Sequence, residues 1–437
     1  RHRIQGPEHR DTLLTGIWLG TVYADLAKYD EAEQLLTAAL DSCSRLFGKR
    51  NLITLEAMYG LAFLHIVQGQ RVGDAEPLVF EGRKIARELL GEGHQLTLNF
   101  MGQGSWFEAR AGRFEQAVRD ANTVLTMSER VLGEEHRQTI SARGGLGCIY
   151  AMQHEYELAE PLLVESVKLG RKILGKGNTE ILFLTTMLAD VHARQGEYEQ
   201  AESLYNEVLT DGRRVLPDSN VILRVTAQRM IYLYAMSEQA TELDDWCSDE
   251  LKRLAEVDDP NHSATVNILN SWARQQATYP SEAIRDGDRA VENARKACEL
   301  SGWKNADFID TLAVAYAEKG DFPAAVREQQ RAIDMVTSRG QMPTVMRYHL
   351  KLFRSERAVR SNTFAATARW KIAKGEYSEA EQDLTTALKS AERCLGETHP
   401  ETRGCILAFI ELYEAWGKPE EAEKWRAELP EDVGTTQ

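Results

Sequence analysis

Between residues 175 and 217 apolar side chains return every three or four positions in two successive runs. Leu184, Leu188, Val191 and His192 form the first, and Ala201, Leu204, Tyr205, Val208 and Leu209 the second. That spacing predicts two amphipathic helices. Gly175-Lys176-Gly177-Asn178 marks the start, and Gly196-Glu197-Tyr198 separates the helices. Gly196 suits a left-handed helix end, where a Cβ would cost energy. Both helices are apolar on more than one side, as units sandwiched between neighbours must be. Ala201 is small, which lets the two helices cross closely.

The same script reads from Gly6 to Phe47, Gly48 to Leu90, Gly91 to Leu132 and Gly133 to Leu174. Its marker alanines, Ala32, Ala75, Ala117, Ala159 and Ala201, follow one another at intervals of 43, 42, 42 and 42 residues. Later, Ala283 to Ala325 and Ala380 to Ala422 are again 42 apart. A period this regular means a stacked array of one supersecondary unit, here about ten helical hairpins. The division expected is five regular hairpins over 1–217, a degenerate one over 218–257 and two over 258–337. A basic, irregular insert or cap follows over 338–363, then two hairpins over 364–430 and a disordered tail over 431–437.

The phrase Leu188-Ala189-x-x-His192-x-x-x-Gly196-x-Tyr198-x-x-Ala201-x-x-x-Tyr205 resembles the tetratricopeptide repeat. The long period and the openers Leu132-Gly133…His136…Thr139 and Leu395-Gly396…His399…Thr402 resemble its 42-residue, kinesin-light-chain-like branch. The stretch Ala297-Cys298-Glu299-Leu300-Ser301-Gly302-Trp303-Lys304 resembles repeats of bacterial modular signalling proteins, which often carry such arrays behind a Ser/Thr protein kinase domain. The resemblance implies an all-α, right-handed superhelical solenoid. First helices would line a concave groove that takes peptides or partner helices, and second helices would form the convex back.

Counting from the marker alanines places candidate groove residues. The first unit offers Leu14, Ile17, Trp18, Thr21 and Asp25; the second Tyr59, Phe63 and Ile66; the third Asn99, Gln103, Trp106 and Arg110; the fifth Phe183, Met187, Asp190 and Arg194. Trp18, Phe63 and Trp106 are large apolar groups on a face that should be solvated, and aromatics flanked by arginine make interface anchors. The competing reading tucks them against the next repeat. The paired asparagines that the family uses to clamp a peptide backbone are missing; Ile17-Trp18, Tyr59-Gly60, Gly102-Gln103, Gly144-Gly145 and Thr186-Met187 stand in their place. The segment 338–363 carries Arg347, Lys351, Arg354 and Arg357 among Tyr348, Leu350, Leu352 and Phe353. It can dock an acidic partner or phosphate, or close one array as a packing helix.

Bulk properties narrow the function. At 437 residues the chain exceeds one ordinary core, a limit that a repeat array escapes. A formal net charge of −15 argues against nucleic acid or an anionic membrane as main partner. No run of 18 apolar residues exists. Six cysteines without Cys-x-x-Cys spacing fit free thiols in a reducing cytoplasm. The chain opens at Arg1-His2-Arg3, within a repeat boundary, and reads as a piece of a longer protein.

The sequence carries no recognisable catalytic motif. His154-Glu155 lacks a second histidine four residues on. Gly91-Glu92-Gly93, Gly102-Gln103-Gly104 and Gly144-Gly145-Leu146-Gly147 follow no strand and end in no Gly-Lys-Ser/Thr, so they read as punctuation or close-packing glycines. His9, His94, His136 and His399 recur at helix heads and read as caps together with Thr12, Thr97, Thr139 and Thr402. The expectation is therefore a non-catalytic scaffold for a peptide or partner helix, with no cofactor and no metal. Two other readings stay open on sequence alone: the recruitment segment of a larger signalling enzyme, and a module for self-association through its end helices.

Overall fold

The computed structural model describes residues 6, 8–25, 28–68, 72–257, 263–360 and 365–429, apart from the side chains of Asp25 and Ala366. The expected tail at 431–437 and the turn Gly69-Gln70-Arg71 lie outside these. The described residues form 21 helices and no strand. In order they are α1 (Arg10–Asp25), α2 (Tyr29–Phe47), α3 (Leu52–Gln68), α4 (Val72–Leu90), α5 (Gln95–Arg110), α6 (Phe114–Leu132), α7 (Arg137–Met152), α8 (Tyr156–Leu174), α9 (Thr179–Arg194) and α10 (Tyr198–Gly212). Then come α11 (Val221–Met236), α12 (Ala240–Ala255), α13 (Ser263–Thr278), α14 (Gly287–Leu300), α15 (Ala306–Glu318), α16 (Phe322–Ser338), α17 (Thr344–Arg354), α18 (Ala366–Lys374), α19 (Tyr377–Leu395), α20 (Pro400–Trp416) and α21 (Pro419–Ala427). They succeed one another as ten pairs, with α17 standing alone between the eighth pair and the ninth. The chain divides into two compact units, residues 1–191 with 206–223, and residues 192–205 with 224–437.

One rule starts the first helices. The cap residue's side chain accepts a hydrogen bond from the backbone N–H two positions on, satisfying one of the donors that a helix start leaves over. His9, His94, His136 and His399 do this through Nδ1, at 3.1–3.2 Å. Asn51, Asn178, Asn220 and Asn305 do the same through Oδ1, at 2.9–3.1 Å. Thr54, Thr139 and Thr402 add a bond from Oγ1 to the carbonyl of Gly48, Gly133 or Gly396, at 2.7–2.8 Å. The hydroxyls of Thr12 and Thr97 make no hydrogen bond.

In the first unit each hairpin closes on a fully buried alanine of its second helix: Ala32, Ala75, Ala117 and Ala159. Glycines take the closest crossings. A methyl group on Gly147 would stand 2.9 Å from Leu163 Cγ and 3.2 Å from the Ala159 carbonyl, and one on Gly144 2.6 Å from Leu184 Cδ2. Gly145, between them, faces open space. The turn joining first to second helix needs one left-handed residue. Glycine supplies it at Gly112 (φ 76°), and His154 adopts it at φ 62° while its Nδ1 lies 2.8 Å from Tyr156 Oη.

In the second unit Ala201, Ala325, Ala380 and Ala422 are likewise fully buried. Ala283 is not their counterpart. It is exposed in a long turn, and Ala290 on α14 is the buried residue four positions after the helix cap Asp286. Arg285 fills that turn, donating to the carbonyls of Tyr279 (3.1 Å) and Pro280 (2.7 Å) and pairing with Glu318 (2.9 Å). The core holds a polar knot. Asp310 Oδ1 accepts from Gln329 Nε2 at 2.7 Å and lies 2.8 Å from His349 Nδ1, and its Oδ2 lies 3.3 Å from Arg274 Nη1. Burial alone would raise the Asp310 carboxyl, but His349, Arg274 and Gln329 hold it well below the usual carboxylate range. His349 belongs to α17, which buries Met346, Leu350, Leu352 and Phe353 beside it.

His399 ties distant residues of this second unit together. Its Nδ1 caps α20, so Nε2 carries the proton and stands 3.0 Å from the Met236 carbonyl and 2.9 Å from Tyr198 Oη. Burial lowers the imidazole below its ordinary value, outweighing Glu401, the Met236 carbonyl and Glu238, which act upward. A histidine lowered in the folded state leaves the unfolded chain to take the proton first. Stability is therefore full above the ordinary histidine value of about 6.5 and falls as pH drops through it. Denaturant midpoints between about pH 7 and 5 should fall less steeply for His399→Asn, whose amide still caps the helix but does not titrate. Equal slopes for the two proteins contradict this account.

Candidate partner-binding surface

Counted from the cap residue, positions 5, 9, 12 and 16 of a first helix share one face. In the first unit neighbouring first helices touch, so these faces adjoin. Position 9 holds Trp18, Gly60, Gln103, Gly145 and Met187 in successive hairpins; position 12 holds Phe63 and Trp106, position 16 Arg110, and position 5 Phe183. The groove candidates from the sequence lie on this face except Ile17, Tyr59 and Ile66, which fall one position off it. Arg194 falls at position 16 of α9, but in the second unit.

The candidates differ in how they sit. Trp18 is 57% exposed and Phe183 47%, and Met187 is half-buried. Trp106 is half-buried against Ala62, Ala75 and Val79, and the Arg110 guanidinium stacks 4.8 Å from its ring centroid. Phe63 packs on the first hairpin's core, and Tyr59 meets Phe100 edge-on at 5.7 Å. Ile17 is no surface residue: it is buried, one position off the face, beside Gly60. Asn99 accepts a bond from Gln138 Nε2 at 2.9 Å. Asp25's side chain lies outside the described residues.

Gln103 is the polar candidate at position 9. Both ends of its amide are shielded from solvent and neither makes a hydrogen bond. Gly145, at the same position of the next first helix, and Gly102, one position off the face, leave open space. A buried amide without partners is unfavourable in the free protein, and a ligand that supplies a donor and an acceptor relieves it. Sequence reading placed Gln103 on the face but gave no sign of this, since satisfaction depends on neighbours from other repeats.

The basic stretch sorts differently. Arg357 bonds Glu414 at 2.6 Å, and Arg360 bonds Glu318 at 2.6 Å. Arg347, Lys351 and Arg354 lie at i, i+4 and i+7 on the exposed face of α17, opposite its buried residues. Burial pushes the Cys148 thiol up to about 12, with Asp190 adding to it, so that sulfur is an inert packing group. Among the described residues no helix is long and apolar enough to cross a membrane, and no three His, Cys, Asp or Glu side chains cluster as metal ligands.

These hairpins match the tetratricopeptide-repeat family models over residues 10–78, 101–172, 149–213 and 368–401. Over those residues the chain is built of tetratricopeptide repeats. Among solved structures, a Rap protein complexed with competence and sporulation factor is 12% identical, with 96% of each chain covered and a TM-score of 0.50. Repeats of a putative kinesin light chain from Podosopora anserina are 20% identical over 46% of this chain and 95% of theirs, with a TM-score of 0.36. BtubC (BKLC) from P. vanneervenii is 16% identical over 55% of this chain and 90% of its own, with a TM-score of 0.38. No curated protein matches the chain.

Gln103→Met keeps the length of the side chain and removes the unpaired amide. It should raise stability by about 1–3 kcal/mol in denaturant titration. An unchanged or lower midpoint means that the amide is satisfied in solution and offers nothing to a ligand.

Proposed function

We propose that this protein is a non-catalytic scaffold that binds an extended peptide segment or a partner helix along the first-helix face of its first unit. The observation that carries this reading is the unpaired Gln103 amide set between Trp18, the Trp106–Arg110 stack, and Phe183 with Met187. The aromatic groups offer apolar anchors, and Gln103 offers one donor and one acceptor to a backbone amide. One glutamine thereby stands in for the family's missing asparagine pairs. The tetratricopeptide repeats support a protein partner.

The test is capture of a partner from the protein's own cell lysate, read by mass spectrometry. Trp18→Ala and Trp106→Ala should each weaken capture by more than about 1 kcal/mol with the fold kept. Loss of thermal stability with capture intact makes both residues repeat-packing groups and ends this reading.

A second contact is supported by the outer face of α17, where Arg347, Lys351 and Arg354 present three like charges in an acidic chain. We place an acidic segment of the partner there. Reversing these three to glutamate should abolish the salt-sensitive part of binding, while Arg357→Glu, whose arginine is held by Glu414, should change it less. Salt dependence that survives the triple reversal refutes the second contact.

A further inference from the structure

The turn that joins α9 to α10 meets the loop that joins α19 to α20. A methyl group on Gly196 would stand 3.3 Å from Leu395 Cδ2 and 3.6 Å from the Cys394 carbonyl. Two residues on, Tyr198 Oη lies 2.9 Å from His399 Nε2. The turn after α11 enters through the Met236 carbonyl, 3.0 Å from the same nitrogen. Glu238 of that turn is left-handed, at φ 55°, and accepts a hydrogen bond from Ser281 in the turn after α13. Tyr279 of the latter turn is buried, and burial, with Glu401, Tyr198 and Glu238 about it, pushes its hydroxyl up. All of these residues belong to the second unit.

His399 has both ring nitrogens committed. Nδ1 accepts from the Glu401 N–H at 3.1 Å, which requires that nitrogen to be bare, so the junction holds the neutral ring. A second proton can go only to Nδ1. There it faces the Glu401 N–H, and the start of α20 loses its acceptor. The groups facing the ring act in different senses. Glu401 of α20 and Glu238 of the turn after α11 favour the charged ring, but burial outweighs them. Burial also pushes the Tyr198 hydroxyl up, so from α10 the ring meets a neutral group. His192, whose Nδ1 lies 2.5 Å from Glu197 Oε2 inside the α9–α10 turn, gains an ion pair on protonation and so tightens that turn. His94 and His136 cap helices in the same way, but among the described residues neither makes a hydrogen bond at Nε2. His399 alone of these three joins a helix cap to other turns.

We propose that this junction is a proton-operated latch. One proton on His399 releases the start of α20 from the α9–α10 and α11–α12 turns, while the hairpins themselves stay folded. Their crossings do not depend on the junction: Ala201, Ala325 and Ala380 are fully buried within their own hairpins. The released state lets the imidazole return to water and take the proton at its ordinary value, so acid favours release.

The experiment is hydrogen exchange read by mass spectrometry on the 437-residue chain, corrected for the intrinsic rate at each pH. Below the ordinary histidine value of about 6.5, protection of segments 194–199, 236–240 and 396–402 should fall by up to about tenfold per pH unit. Protection of α14 to α16 should hold over the same range. His399→Asn, which still caps α20 but takes up no proton, should remove the pH dependence in the three segments. Tyr198→Phe should lower their protection about fivefold at about pH 7.5 and keep the dependence, which preserves the test if the histidine variant misfolds. Equal pH dependence in the native chain and His399→Asn overturns the latch. So does loss of protection in α14 to α16 in step with the junction, or a Tyr198→Phe variant protected as well as the native chain.

Discussion

Everything in this molecule depends on how closely two helices of a hairpin approach. The residue four positions after the second-helix cap is a fully buried alanine in most of the hairpins, Ala32, Ala117 and Ala325 among them. A larger side chain there would push the helices apart and misplace every contact that the hairpin makes with its neighbours. Because each unit packs mainly on the next, an error at one crossing passes along the array. Gly147 enforces the same limit within its hairpin and Gly144 between hairpins, where an added Cβ would stand within about 3 Å of a leucine side chain.

That constraint also decides what the surface can do. With the crossings fixed by small residues, the positions left over on the first helices fall into two stripes. One is used up in hairpin stacking. The other faces away and is free to differ from repeat to repeat. It holds Trp18, Gln103, Gly145 and Met187 at equivalent places in four hairpins. Such variation at one structural position is how a repeat array makes a surface of particular shape and chemistry from a uniform frame. On that face the Gln103 amide is shielded from solvent and makes no hydrogen bond.

The sequence made the helices, their pairing and the histidine caps legible because each is set by spacing within about 20 residues. Asn51, Asn178 and Asn220 hold the same cap position as the histidines and could have been found by the same count. Ala283 misled because the turn before α14 is longer than its counterparts, which moved the crossing to Ala290 without disturbing the apparent interval. Ile17 misled by one position, enough to carry it from surface to core. The Asp310–His349 contact spans 39 residues and the Tyr198–His399 contact 201, and no local pattern announces either.

The central claim is that a partner lies on the first-helix face of the first unit. It is tested most directly by a photo-crosslinking residue placed at Gly145, which faces open space on that stripe, and in a second protein at Leu158, exposed on α8. The account predicts a covalent adduct to one partner from Gly145 and none from Leu158. Adducts from Leu158 with none from Gly145 would place the partner on the second helices and contradict it.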